Sequence, residues 1–420
     1  MTEMEQLEQL EQLINGSSES SEVKLNGKID LKIGRHNKIY VGRQFVQGFI
    51  KIERSQVTID GANALIEVEL DDCITNDCCL FYLTPLASRV RFLNLNLNIK
   101  IKNEHTANHF YAFYNTAYGV SFENCHINIY ADKQVNTAVI YNNGNYDTHF
   151  DTRADNLIIS NCQLKVECYA EEYPLECEIY GLYNYYANSI SVHDTYIYAT
   201  NRGDGDRQKA VGVYTIGRFG RFVGNNIKAN CGHGEGTEKE HAHAYGVINY
   251  GWHTLISANN IVAEWSGMSV GLEERGLYVE VEANKILATH AIYGTSVRLH
   301  GEACILRGNV ITSTSRNARL IEVEQGSCII SGNILGQFRP DGDAITGCGI
   351  YCVQEDLTQN IITENIIRFT PDCGILYFPK NAIIEKNILQ SFPQAIERAG
   401  KENQELIDRL DTRKITSIQV

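Results

Sequence analysis

Residues 256–287 read "ISANNIVAEWSGMSVGLEERGLYVEVEANKIL", and the two ends of this stretch repeat each other. Ile256, Asn259 and Ile261 share the frame apolar-x-x-Asn-x-apolar with Val281, Asn284 and Ile286. Extended outward, the frame recurs at Phe222/Asn225/Ile227, Leu306/Asn309/Ile311, Ile330/Asn333/Leu335, Ile362/Asn365/Ile367 and Ile384/Asn387/Leu389. Further upstream Leu95, Cys125, Cys162 and Thr195 hold the Asn position. The intervals of 22–37 residues are those of a solenoid. Each unit is β-rich, breaks at Gly or Asn, and lacks a helical period. Short strands with a turn-borne Asn at one register predict coils stacked about 4.8 Å apart. An inward Asn can satisfy its own turn and the next coil's amide, so an asparagine ladder is expected.

Composition agrees with one large globular architecture. The chain has 420 residues, 43% apolar and 21% charged, with 6 Pro against 34 Gly and 23 Tyr. No apolar run is long enough to span a membrane. The opening residues lack a charged segment followed by an apolar one, so the expected compartment is the cytoplasm. The 13 Cys fall at apolar positions and read as reduced, packed thiols. A net charge of −14 argues against nucleic acid and against anionic membrane surfaces as partners.

The in-frame Asn positions 225 to 387 and the segment "KIYVGRQFVQGFIKIERSQVTIDGANA" (38–64) together resemble the right-handed parallel β-helix superfamily, the pectin-lyase-like fold. The resemblance covers about residues 24–392 and implies one all-β solenoid domain of about ten to twelve coils. It leaves function open, because the superfamily holds glycoside hydrolases, polysaccharide lyases, epimerases, fructotransferases and phage tailspikes. A solenoid must cap its ends. Residues 1–23 form an acidic segment in which Leu7, Leu10 and Leu13 share a helical stripe. Residues 393–420 hold "QAIERAGKENQELIDRL" (394–410), read as a capping helix and tail.

A second strand precedes each Asn strand and aligns on a glycine: Gly181, Gly212, Gly246, Gly271, Gly294, Gly349 and Gly374. Alternation points the first residue after the glycine inward and the second and fourth outward. The outward set is then Tyr183, Tyr214, Ile248, Glu273, Ser296, Glu322 and Tyr351, with Tyr185, Ile216, Tyr250, Arg275, Arg298 and Glu324 beside it. A band of tyrosines thus gives way to acids and arginines. Tyr rings suit the faces of sugars, and carboxylates with Arg suit hydroxyls and proton transfer. Glu274 falls on the inward face alongside Asn184, Thr215 and Asn249, where it either joins a polar row with Asn249 or marks a bulge that shifts the register.

The expected partner is a carbohydrate in a groove on this face, walled by long connections at 143–155, 166–178, 201–209 and 231–243. Substrate contacts are assigned to Tyr183, Tyr185, Tyr214, Tyr250, Trp252, Arg298 and Glu324. Glu273 and Glu322 are the catalytic carboxylates, two coils and roughly 9–10 Å apart, with Arg275 as charge partner. Two classes of function fit: a glycoside hydrolase or polysaccharide lyase, or a non-catalytic binding or structural module. A fructotransferase-like trimer is a third form, making a homo-oligomer an expected partner. Converging carboxylates in a walled groove would mark the enzyme. Charges that pair off across coils would mark the module. Gly232-His233-Gly234 is similar to the Gly-His-Gly motif of polygalacturonases, but the other elements of that motif set do not appear. His233, His241 and His243, and the pair Asp204 and Asp206, read as solvated loop and turn residues, so no metal and no cofactor is assigned.

Overall fold

The computed structural model describes residues 3–16, 21–33, 40–41, 46–70, 77–102, 109–132, 135–144, 154–169, 177–202, 208–232, 242–265, 267–338, 346–352, 360–368, 370, 372–377, 382–390 and 394–398. The chain divides into two compact units, Met1–Ile227 and Lys228–Val420. Both are built of parallel β-coils, the one described exception being a two-residue antiparallel pair, Tyr40–Val41, against Gln47–Ile52. Among the described residues no helix is long and apolar enough to cross a membrane.

In the first unit the rungs Gln47–Ile52, Cys78–Leu83, His109–Asn115, Asn136–Asn143, Cys177–Tyr185 and Gln208–Thr215 pair in chain order. Between rungs the chain runs through a three-residue strand, a corner and a longer strand, as in Ser191–His193 and Tyr196–Asn201. The corner residues Asn94, Asn124, Asn161, Asp194 and Gly224 take left-handed φ of 50–71°. Gly, Asn and Asp tolerate that region best, which is why they punctuate the repeat. The corner turns the next side chain inward, and Asn225 there accepts from Thr195 N at 3.0 Å and donates to Val192 O at 2.9 Å. Like side chains stack in the core: Phe81 on Phe113 and Phe92 on Phe122, each at 4.8 Å.

The helix Glu3–Asn15 closes this unit's N-terminal end. Its buried stripe is Leu7, Leu10 and Ile14, whereas Leu13 is 51% exposed. The expected stripe was one residue off at its end, because the i, i+3, i+7 face runs on to Ile14. Asn15 anchors the helix to the first rung, donating to Lys51 O at 2.6 Å and accepting from Glu53 N at 3.0 Å.

In the second unit the rungs are His243–Asn249, Met268–Glu274, Tyr293–Leu299, Asn317–Val323, Thr346–Cys352, Cys373–Tyr377 and Gln394–Arg398. Their corners are Ala258, Ala283, Gly308, Gly332, Glu364 and Lys386, at φ of 55–64°. After each corner an Asn binds the next: the backbone N and Nδ2 of Asn259, Asn284, Asn309, Asn333 and Asn365 each donate to the following Oδ1 at 2.8–3.0 Å. The residues read as the start of a C-terminal helix are instead the strand Gln394–Arg398, with Ile396 in register with Ile375. An open sheet edge offers unpaired backbone groups, and an apolar residue in register wins over weak helix propensity. Residues 399–420 lie outside the described residues.

Candidate functional site

Described rungs slip once in their alternation, at the place held by Gly181, Gly212, Gly246, Gly271, Gly349 and Gly374 and, in other rungs, by residues such as Ser296 and Leu320. Gly271 and Leu272 both face the core: a Cβ on Gly271 would meet the Ile286 side chain, and Leu272 is buried. Residues three apart across the slip therefore share the outer face. Tyr180 touches Tyr183 with ring centroids 4.7 Å apart, and Arg319 pairs with Glu322. This geometry brings two outer rows together on the rung and gives each unit its own cluster.

In the first unit the rows are aromatic. Tyr82, Tyr114, Tyr141, Tyr183 and Tyr214 follow one another at 5.8, 5.3, 4.9 and 4.6 Å between ring centroids. The companion row is Tyr111, Ala138 and Tyr180. Ala138 leaves a gap between two large rings, and a cavity of about 260 Å³ opens there. Tyr111, Tyr114, Tyr141, Tyr180 and Tyr183 line it, with Asp77, His109 and Glu178 on one side. Those polar residues belong to a third row, Asp77, His109, Asn136, Glu178 and Lys209, one per coil. Asp77 Oδ1 accepts from His109 N at 2.9 Å and lies 3.1 Å from His109 Nδ1. Glu178 accepts from the Tyr180 hydroxyl and lies 3.3 Å from Lys209 Nζ.

Protonation follows from this packing. Burial pushes Tyr111, Tyr114, Tyr141 and Tyr180 far up, and Tyr183 up to about 12, so these hydroxyls stay neutral. They offer ring faces and O–H groups but no base. The His109 hydrogen bond holds Asp77 below its ordinary value against the opposing effect of burial. With Asp77 ionised, Nδ1 of His109 is a donor and Nε2 is the ring's second polar atom.

In the second unit the same rows are ionic and closed. Glu273, Arg298, Glu322 and Tyr351 occupy successive coils. Arg298 lies between the two acids, 3.6 Å from Glu273 Oε2 and 3.1 Å from Glu322 Oε2. Arg319 binds Glu322 from the companion row, and its guanidinium carbon sits 4.2 Å from the Tyr351 ring centre. The side chains of Glu273, Glu322 and Arg319 are no more than 4% exposed. Burial works against a charge on Glu322, but Arg319 and Arg298 override it and hold that carboxyl well below its usual range. Glu273 Oε2 and two nitrogens of Arg319, Nε and Nη2, are buried without a hydrogen-bond partner. The outermost row is Tyr250, Arg275, His300 and Glu324. Arg275 lies over Tyr250 at 5.3 Å and reaches Glu273 at 2.5 Å, and His300 Nδ1 is 2.9 Å from Glu324.

Glu274 points inward and is fully buried. It accepts from Asn249 Nδ2 at 2.8 and 3.0 Å and from Gly276 N at 2.6 Å. Burial pushes its carboxyl up to about 8, against those hydrogen bonds. In the first unit the same inward row is amides, Asn115 to Asn142 to Asn184, each step 2.7 Å. An amide that donates along the axis needs an acceptor on the next coil. Asn249 finds it in Glu274, beyond which the row becomes Leu299 and Val323.

The structure therefore sorts the expected site residues into separate clusters. Tyr183, Tyr185 and Tyr214 belong to the aromatic rows, with Tyr185 6.4 Å from Tyr141. Glu273, Glu322, Arg275, Arg298, Glu324 and Tyr250 belong to the ionic ones, and Trp252 is 42% exposed at a corner beyond the rung. Arg298 sits in the row of Glu273 rather than that of Arg275. Ser296, expected outward, takes the glycine's inward place and donates to Thr312 O at 2.6 Å. The alignment on Gly294 was two residues early. Asp77, His109, Tyr111, Tyr114, Tyr141, Tyr180, Glu178 and Arg319 were not singled out. Ala112 and Val139 hold the place that glycine takes in rungs such as Cys177–Tyr185, although the pairs Tyr114-Asn115, Tyr141-Asn142 and Tyr183-Asn184 repeat the frame. His243 lies 3.4 Å from the Tyr245 hydroxyl. His233, His241, Asp204, Asp206 and most of the four long connections lie outside the described residues. Among the described residues no group of acids, His and Cys could hold a metal, and the twelve described cysteines are buried.

No family model matches the chain, and no curated protein matches it in sequence. Solved structures do. A mutant tailspike protein of E. coli bacteriophage HK620, in complex with a pentasaccharide, is similar with a TM-score of 0.56 and 9% identity, over 91% of this chain and 72% of that one. The A-module of the Azotobacter vinelandii mannuronan C-5 epimerase AlgE6 is similar with a TM-score of 0.50 and 13% identity, over 92% of this chain and 91% of that one. At such identities the likeness is one of fold, the right-handed parallel β-helix.

Proposed function

We propose that the protein recognises an oligosaccharide through the tyrosine cavity of its first unit. The observation that carries this reading is the gap at Ala138, walled by five tyrosines and flanked by a row of hydrogen-bonding side chains. Neutral rings provide flat apolar area for the C–H faces of a sugar, and their hydroxyls and the polar row meet its edges. At about 260 Å³ the cavity is a little below the usual ~300–1,000 Å³ of small-molecule sites, which suits one sugar of a longer chain. The pentasaccharide bound in the tailspike structure and the mannuronan named for the epimerase are in keeping with a carbohydrate partner.

Hydrolysis is the weaker reading. Inverting chemistry needs two carboxyls roughly 6.5–9.5 Å apart, and retaining chemistry needs them closer. Asp77 and Glu178 stand three coils apart, roughly 14 Å between backbones. Glu273 and Glu322 are buried with an arginine between them, and Glu322 is held ionised, so neither is placed as a proton donor to an incoming sugar. One observation favours a second reading, proton transfer on the bound sugar: the Asp77–His109 pair sits at the cavity.

A panel of soluble hexasaccharides of neutral and uronic sugars tests both. Binding by calorimetry with no new reducing ends, no unsaturated uronates and no epimers supports recognition alone. Turnover lost in His109→Gln supports the second reading. Absence of binding across the panel overturns the proposal.

A further inference from the structure

A second aromatic feature lies in the second unit, away from its ionic rows. His253 and Tyr278 occupy the same corner on successive coils, and their rings stack at 5.3 Å and 8°. Both hold left-handed backbone, φ 54° and 58°. Bulky side chains are uncommon in that region. The next two coils place Ala303 and Ser327 at this corner, with φ 57° and 64°. Coil-to-coil hydrogen bonds fix the equivalence: His253 N donates to Leu277 O at 3.0 Å, and Tyr278 N to Glu302 O at 3.2 Å. Past Tyr278 the corner thus continues with small residues. Tyr278 is 60% exposed, and Trp252, next to His253, is 42% exposed.

We infer that the Trp252–His253–Tyr278 corner is a second glycan-binding platform, on which a pyranose stacks against the exposed Tyr278 ring. The left-handed backbone belongs to the corner, since Ala303 and Ser327 share it; what sets these two coils apart is a stacked pair of exposed aromatic rings beside Trp252, flat area of the kind on which sugars stack. A flat ring with a polar edge, on a chain of net charge −14 with the exposed acid Glu302 alongside, suits a neutral sugar better than an acidic one. This ligand class follows from the corner itself and does not depend on the tyrosine cavity.

Trp252 supplies the readout. Trp265 is the only other tryptophan, so Trp265→Phe leaves Trp252 as the sole reporter. In that background the soluble hexasaccharide panel is titrated against tryptophan emission. A neutral hexasaccharide is expected to change the emission saturably. Tyr278→Gly is expected to weaken this at least tenfold without lowering the unfolding midpoint, because glycine is at ease at φ 58°. Tyr141→Ala in the cavity should leave the emission titration unchanged, so failure of one site is distinguishable from failure of the other. The inference is overturned if no sugar alters Trp252 emission, or if Tyr278→Gly binds like its parent. It is also overturned if sedimentation shows a concentration-dependent dimer that Tyr278→Gly disperses, in which case the platform receives a second copy of the chain.

Discussion

The two units fill the same rows of the same kind of rung with opposite chemistry. In Met1–Ile227 the rows flanking the slip are tyrosines, and one alanine among them opens a cavity. In Lys228–Val420 they are Glu273, Arg298, Glu322 and Arg319, closed on one another and nearly excluded from solvent. Stacked coils force like positions into contact every ~4.8 Å. Rings can share that spacing without electrostatic cost. Like charges cannot, so acids and arginines must alternate along the row. In the second unit each acid of the row therefore faces an arginine, which is why the proposed sugar site is placed in the aromatic rows.

The comparison breaks most visibly at Arg298. Arg298→Ala leaves Glu273 and Glu322 buried with their shared counter-ion gone, an expected loss of about 3–5 kcal/mol in denaturant unfolding of the second unit. Sugar binding by the first unit should persist under native conditions. An unchanged midpoint would mean that the cluster is solvated and available for chemistry.

Glu274 sharpens the contrast between the amide row of the first unit and its acidic counterpart in the second. Its carboxyl stands at about 8 when folded against 4.5 when exposed, so the folded state binds the extra proton between those values. Stability is therefore full below pH 4.5, falls as pH rises towards 8, and is flat beyond. Glu274→Gln should remove that slope and be the more stable protein at pH 9, by an amount on the order of a few kcal/mol. Equal slopes in thermal melts of the two proteins would show that Glu274 stays ionised.

The smallest effect belongs to Asp77. Its carboxyl is held below the ordinary value by His109, so the stabilisation is present above pH 3.8 and is lost as pH falls through the folded value. The pair is partly exposed, and Asp77→Asn should cost only ~0.2–1 kcal/mol near neutrality. A larger loss would place the pair in the packing of the cavity rather than at its edge.

The fold was legible because it rests on local necessity. Each coil needs a left-handed corner, and the Asn behind it, at 225, 259, 284, 309, 333, 365 and 387, announces it even where Ala258, Ala283, Glu364 or Lys386 holds the corner itself. The site was less legible because its rows depend on which residues face each other across coils. The slip at Leu320, in a rung that has no glycine, places Arg319 beside Glu322, three residues away, against simple alternation. Where Ser296 replaces the glycine, alignment on Gly294 moved Arg298 out of its row. Where Ala112 and Val139 replace it, Tyr114 and Tyr141 went unseen, and with them the cavity. Glu274 could be placed inward from sequence, but its role as acceptor for Asn249 shows only when both coils are stacked.

The central claim is tested most directly by filling the gap. Ala138→Leu puts a side chain into the cavity and keeps every tyrosine. Calorimetric titration of the best-binding hexasaccharide should then show affinity reduced at least tenfold, with the unfolding midpoint near that of the parent, while Glu322→Gln lowers the midpoint and keeps the affinity. Parent-like affinity in Ala138→Leu, together with lost affinity in folded Glu322→Gln, would contradict the account and return the site to the ionic rows.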